Sequence, residues 1–171
     1  NFFIALLFDD GSKLDFPYYV DENQRSQPSR PLSRGLSEYV IRHRKPLRGM
    51  MRDIVALAER GEVALQTAGT PSMCWMGVPL FVADQVIGLI VVQRYDDAVV
   101  YGPPDQELLS FVASQVANSL QRRHSAEALK IAYAQLEQRV QERTRDLTAT
   151  LHQLRDTQGE LVRHEKLASL G

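Results

Sequence analysis

Residues 74 to 95 read CWMGVPLFVADQVIGLIVVQRY, and this stretch decides the fold. Two β-rich runs flank Ala83-Asp84-Gln85, and the second, Val86 to Val92, is apolar at nearly every position. Alternation between apolar and polar residues would mark a strand with one wet face; a continuous apolar run instead suits a strand covered on both faces. The reading therefore predicts a sheet with layers on each side.

Upstream, NFFIALLF (1–8) and KLDFPYYV (13–20) are two more β-rich runs, separated by Asp9-Asp10-Gly11-Ser12. Asp-Gly supplies the positive φ angles of a tight turn, so these runs predict a hairpin. DENQRSQPSRPLSR (21–34) reads as a loop. GLSEYVIRHR (35–44) places Leu36, Tyr39 and Val40 on one helical face and should end near Lys45, because Pro46 disfavours helix in the residue before it. RDIVALAER (52–60) sets Ile54, Leu57 and Ala58 on one stripe, with Gly61 just past its end as a C-terminal cap. Downstream, YGPPDQ (101–106) carries the prolines and the acid of a helix start, and Leu109, Val112, Val116 and Leu120 step along one face. The predicted order is strand, strand, loop with two helices, strand, strand, helix. This is an α+β fold, an antiparallel sheet flanked by helices.

Composition divides the chain near residue 122. All eight prolines and the only tryptophan lie before it, and a single aromatic, Tyr133, lies after it. The second part is rich in Gln, Glu, Arg, Leu and Ala and reads as one long helix. With 171 residues, 44% of them hydrophobic, the chain can bury one ordinary core and carry an appendage. Apolar runs are of strand length, short of the roughly 18 residues a membrane helix needs. One cysteine, Cys74, excludes an internal disulfide framework and a cysteine zinc site. A net charge of -1 provides no general attraction to nucleic acid, and no aromatic residues alternate with basic ones in a stacking pattern.

Four blocks, NFFIALLFDDGSKLDFPYYVDE, GLSEYVIRHRKPL, WMGVPLFVADQVIGLIVVQ and PPDQELLSFVASQVANSL, together resemble the GAF domain, a small-molecule sensor module of bacterial signalling proteins. The resemblance covers residues 1–122 and implies a GAF-type sheet with a ligand pocket on one face. It also implies an opening helix packed beside the last one. No such helix is found at the start of this sequence, so part of the final helix should be covered by a neighbouring chain or left exposed. Bilin-binding relatives place His directly after their cysteine, whereas Trp75 follows Cys74 here. The signature of the cyclic-nucleotide relatives is not traceable in order. No bilin or metal is therefore expected, and the ligand stays unknown.

In the helical part, Tyr133, Leu136, Val140, Arg143 and Leu147 step 3, 4, 3, 4, and Leu147, Leu151, Leu154, Gln158 and Leu161 step 4, 3, 4, 3. The double four-step at Leu147 is a stutter that locally unwinds a coiled coil. A parallel homodimer is expected over residues 123–163. Arg143 and Gln158 are poor core residues, and Gly159 weakens a helix interior by about 1 kcal/mol. Such a coil suits the transmission of rotation or register, and equally an ordinary stalk. The tail LRDTQGELVRHEKLASLG resembles the segment that leads into the dimerisation and phosphotransfer helix of sensor histidine kinases, with residues 164–171 as its start. That family places a proline soon after its phosphoaccepting His-Glu or His-Asp. KLASLG follows His164-Glu165, so phosphorylation is not assigned to His164.

The resemblance thus implies the cytoplasmic input segment of a sensor histidine kinase, leaving open a membrane-attached parent. Its kinase domains would lie beyond Gly171 and would engage a response regulator. Two other readings stand beside it, a regulator of a cyclic-di-nucleotide synthase or hydrolase and a ligand-free dimerisation module. The chain itself offers no catalytic constellation.

Between Arg25 and Arg52 eight Arg or Lys face one acid, Glu38. Arg42, His43, Arg44 and Lys45 are candidates for holding an anionic ligand. The plainer reading, which is preferred, is a solvated basic face balanced by Asp9, Asp10, Asp15, Asp21 and Glu22. Phe16, Tyr18, Tyr39, Met50, Trp75 and Met76 are candidates for an apolar pocket wall, though such residues more often form plain core.

Overall fold

The computed structural model describes residues 1–8, 11–64, 72–96 and 100–169, the side chains of residues 167 and 168 excepted. Asp9 and Asp10, and the end of the tail, lie outside the described residues. The chain divides into two compact units, Asn1–Arg122 and Arg123–Gly171.

The first unit carries β1 (Phe2–Leu7), β2 (Lys13–Val20), β3 (Arg30–Pro31), α1 (Leu36–His43), β4 (Leu47–Met50), α2 (Met51–Glu59), β5 (Cys74–Val82) and β6 (Gln85–Arg94). The strands form one six-stranded sheet in the order β3-β2-β1-β6-β5-β4, with every described pairing antiparallel. The expected hairpin is present: β1 and β2 pair from Phe2 with Val20 to Leu7 with Leu14. The hairpin at Ala83-Asp84 closes with Val82 opposite Gln85. Ala83 sits at φ 50°, the positive angle that the first position of a two-residue turn demands.

Two strands escaped the sequence reading. β3 has two residues inside the segment expected to be loop, and β4 has four between the two helices. Both are edge strands and too short to carry a period of their own. Only pairing with β2 and β5 makes them strands.

The sheet is covered on both faces. On one, Val40 of α1 and Ile54 of α2 pack with Phe3, Ala5, Leu14, Trp75, Leu89 and Val91. On the other, Leu109, Ala113 and Ala117 of α3 (Pro103–Ala168) pack with Met76, Val78, Leu80 and Ile90. This explains the unbroken apolar run of β6, whose alternate residues enter different cores. The stripe expected on α3 is turned slightly. Leu109 is buried, Val116 and Leu120 are half-buried, but Val112 is exposed and Ala113 and Ala117 take its place against the sheet. Two methyl side chains let the helix backbone approach closely, which a stripe of larger residues would prevent.

Helix ends follow from local chemistry. Asp105 accepts the Gly102 N–H at 2.6 Å at the start of α3. Gly61, at φ +73°, closes α2 by donating to Ala58 O at 2.8 Å, while the Glu62 N–H reaches Leu57 O at 3.0 Å. α1 ends at His43, two residues before the expected Lys45, and Arg44 beyond it is left-handed.

The second unit is the remainder of α3, and its described side chains are exposed throughout. Among the described residues no helix is long and apolar enough to cross a membrane.

Candidate functional site

The residues expected around a pocket do not converge. Trp75 and Phe16 belong to the face beneath α1 and α2, whereas Met76 belongs to the core beneath α3. Adjacent strand residues point to opposite faces, so Trp75 and Met76 could not share a wall. Tyr18 is exposed and packs edge-on against Phe2, which borders the α3-side core. Met50 ends β4 and begins α2, its N–H donating to Asp53 Oδ2 at 2.8 Å. Cys74 is buried at the start of β5 with a free thiol.

Tyr39, Arg42 and His43 do cluster on the outer face of α1. The Tyr39 and His43 rings stack at 4.0 Å, and the Arg42 guanidinium lies 5.9 Å from the Tyr39 ring centre. Arg42 also donates to Glu62 O at 2.9 Å. Other arginines of the basic segment do similar work. Arg34 donates to Gly61 O, Arg44 to Asp84 O and Arg48 to Tyr101 O, each tying its element to a distant carbonyl. Arg44 additionally lies over the Phe81 ring at 5.8 Å. The basic face is therefore largely a set of backbone clamps, which the plainer reading approached more nearly than an anion cradle did. Lys45 is exposed.

The group that sequence reasoning passed over is Glu38. Its side chain is 5% exposed, and Oε1 accepts from Arg30 Nη1, from the Ser33 N–H at 2.9 Å and from Ser33 Oγ at 3.0 Å. Oε2 is buried and has no hydrogen-bond partner among the described residues. Burial alone would raise this carboxyl's pKa, but the Arg30 hydrogen bond, the Ser33 N–H and the Arg30 charge together hold it below the ordinary value. Arg30 in turn lies 5.8 Å from the Phe16 ring centre. One signal was available: Glu38 is the lone acid in a strongly basic stretch.

A second polar group was also missed. Asp21 Oδ2 accepts from Tyr95 OH at 2.7 Å and from Gln93 Nε2 at 3.1 Å, and Gln93 Nε2 also reaches Tyr95 OH at 3.0 Å. Asp21 Oδ1 accepts the N–H groups of Asn23 and Gln24 at 2.8 and 3.1 Å. Burial and the Asp21 carboxylate push the Tyr95 phenol well above its usual range. These partners lie 72 and 74 residues from Asp21 in sequence, so only the sheet brings them together.

On the helical unit, Tyr133, Leu136, Val140, Leu147, Leu151, Leu154 and Leu161 are all between 56 and 67% exposed. The shallow groove lined by Leu136, Arg139, Val140, Arg143, Thr144 and Leu147 runs along this single helix and is open to solvent. In the first unit, Leu108 and Phe111 of α3 are exposed as well, as expected for a final helix without a companion. Among the described residues no three His, Cys, Asp or Glu side chains gather to hold a metal ion.

An antiparallel sheet between two helical layers, with no assembled catalytic group and one buried acceptor beneath α1, defines a binding module rather than a hydrolase or transferase. The GAF domain family model matches residues 2–121, and the chain belongs to that family. No curated protein matches its sequence. Among solved structures, the second GAF domain of DevS from Mycobacterium smegmatis is similar at 18% identity and a TM-score of 0.59, covering 75% of this chain and 84% of that one. The GAF domain of an Acinetobacter phosphoenolpyruvate-protein phosphotransferase gives 18% identity and a TM-score of 0.58, covering 72% of each chain. The GAF domain of a two-component sensor histidine kinase from Bacillus halodurans gives 12% and 0.54, covering 74% and 84%. At such identities the likeness speaks for the fold alone.

Proposed function

We propose that this chain is the sensory input and signal-transmitting segment of a two-component sensor histidine kinase, working as a parallel homodimer. The observation that carries the reading is the exposed apolar row of α3. A helix of this length with its leucines in water gains little by itself, and a second helix laid along the same row would remove them from solvent.

The transmission step follows from how α3 is used. Leu109, Ala113 and Ala117 pack directly on the sheet, and the same helix continues unbroken to Ala168. A ligand that favours one packing of the sheet therefore biases the helix, and the stutter at Leu147 gives the coil two registers of similar energy. Arg143 and Gln158 keep that coil from locking. The GAF domain from the Bacillus halodurans kinase supports the assignment, and the phosphotransferase domain of the same fold is a reminder that GAF domains serve other outputs.

The first test is the coding sequence after Gly171. A histidine followed by Glu or Asp and a nearby proline is expected, and a Gly-Gly-Asp/Glu-Glu-Phe domain would overturn the kinase assignment. Sedimentation equilibrium at micromolar concentration tests the partner: a monomer there would sink both the dimer and the transmission mechanism.

A further inference from the structure

We propose that Glu38 Oε2 is the acceptor of a small-molecule site beneath α1, and that the ligand is a neutral, planar molecule with an N–H donor beside a carbonyl, a carboxamide or lactam. The inference rests on the sensory reading and gives its ligand a chemical class.

A buried carboxylate oxygen without a donor is costly, and native structures rarely leave one in that state. Glu38 has no freedom to turn this oxygen elsewhere, because Oε1 is fixed by Arg30 and by both the N–H and Oγ of Ser33. The ligand must supply the donor. Its charge follows from the surroundings. Arg30 already neutralises Glu38, and the segment from Arg25 to Arg52 holds no other acid, so a cation would meet net repulsion. An anion would meet the carboxylate itself. A neutral N–H avoids both penalties.

The carbonyl has its own partner. α1 begins at Leu36 after Gly35, and no side chain caps that end, so its first amide N–H groups point outward from the same turn that carries Glu38. The flat shape follows from Phe16, whose ring lies against the Arg30 guanidinium that holds Glu38. A planar amide edge matches this sequence of acceptor, donor and ring.

The test uses the whole chain and three matched pairs: nicotinamide with N,N-dimethylnicotinamide, uracil with 1,3-dimethyluracil, and 2-pyridone with N-methyl-2-pyridone. Binding is read by saturation-transfer NMR and calorimetry. At least one N–H compound should bind at least tenfold more tightly than its methylated twin. Glu38→Gln should then weaken it at least tenfold. Arg30 and Ser33 need an oxygen at the Oε1 position, so the new NH₂ falls where Oε2 was and turns an acceptor into a donor. Equal binding of both members of every pair, or no binding by any of the six, overturns the proposal. So does undiminished binding by a folded Glu38→Gln variant, and in that case a ligand still binds and the sensory reading stands. If Glu38→Gln fails to fold, the matched pairs on the unaltered chain decide the matter. None of these results bears on the dimer, which sedimentation tests separately.

Discussion

Arg30 and Glu38 form an ion pair that joins the short edge strand β3 to the first turn of α1, with Glu38 buried and Arg30 roughly three-quarters covered. The pair replaces the ordinary use of an acid in the first turn, where it would cap its own helix. Here the carboxylate reaches outward and holds the preceding loop through Arg30 and Ser33. The two-residue β3 could not hold that loop by itself.

Arg30→Ala should destabilise the first unit by about 3 kcal/mol, because it leaves a carboxylate buried with its charge uncompensated. Replacing both residues by similarly sized apolar ones, Arg30→Met with Glu38→Leu, should cost far less. Urea unfolding of the two variants checks this, and equal losses would show that packing rather than charge sets the cost.

Acid should weaken the same unit. Glu38 and Asp21 both sit below their ordinary pKa values: burial raises each, but the Arg30 hydrogen bond on Glu38 and the Tyr95 hydrogen bond on Asp21, with neighbouring N–H groups, outweigh it. A lowered folded pKa stabilises the protein above the unfolded value, about 4 for these groups, and that stability is lost as pH falls through the folded values. The urea midpoint should therefore drop below about pH 4. Glu38→Gln should make the drop shallower, and an unchanged acid limb would assign it to other carboxylates.

Trp75 and Gly77 offer a packing test. The indole lies along β5 over Gly77, so a Cβ there would stand 2.3 Å and 2.7 Å from two of its ring atoms. Trp75 is 3% exposed and has little room to retreat. Gly77→Ala should cost about 1–3 kcal/mol. The chain has one tryptophan, so fluorescence reports the movement directly, with a red shift expected as the ring is pushed toward solvent.

The helical unit can be tested at its weak layers. Arg143→Leu should raise dimer stability by roughly 2 kcal/mol per chain if the side chain enters a core. Thermal melting followed by circular dichroism at two concentrations measures it, and no change would place Arg143 outside the core. Gly159→Ala should add about 1 kcal/mol of helix stability, since nothing lies within 4 Å of the new methyl. In the full-length parent it should also shift the basal kinase output.

Local pattern alone determined four long strands, three helices and the place where the composition changes, because apolar period, turn residues and proline are properties of neighbours in the chain. The hairpin before Gly11, the Gly61 cap and the doubly covered β6 were all legible for that reason. What tertiary structure decided was everything that depends on pairing across distance. β3 and β4 exist only because β2 and β5 offer them edges. Trp75 and Met76 are neighbours in sequence and belong to opposite cores, so a list of pocket residues chosen by type could not converge. Asp21 meets Gln93 and Tyr95, and Glu38 loses its water, through the same sheet. Burial is a property of the assembled layers, and it turns a lone acid in a basic stretch into the least satisfied oxygen described in the fold.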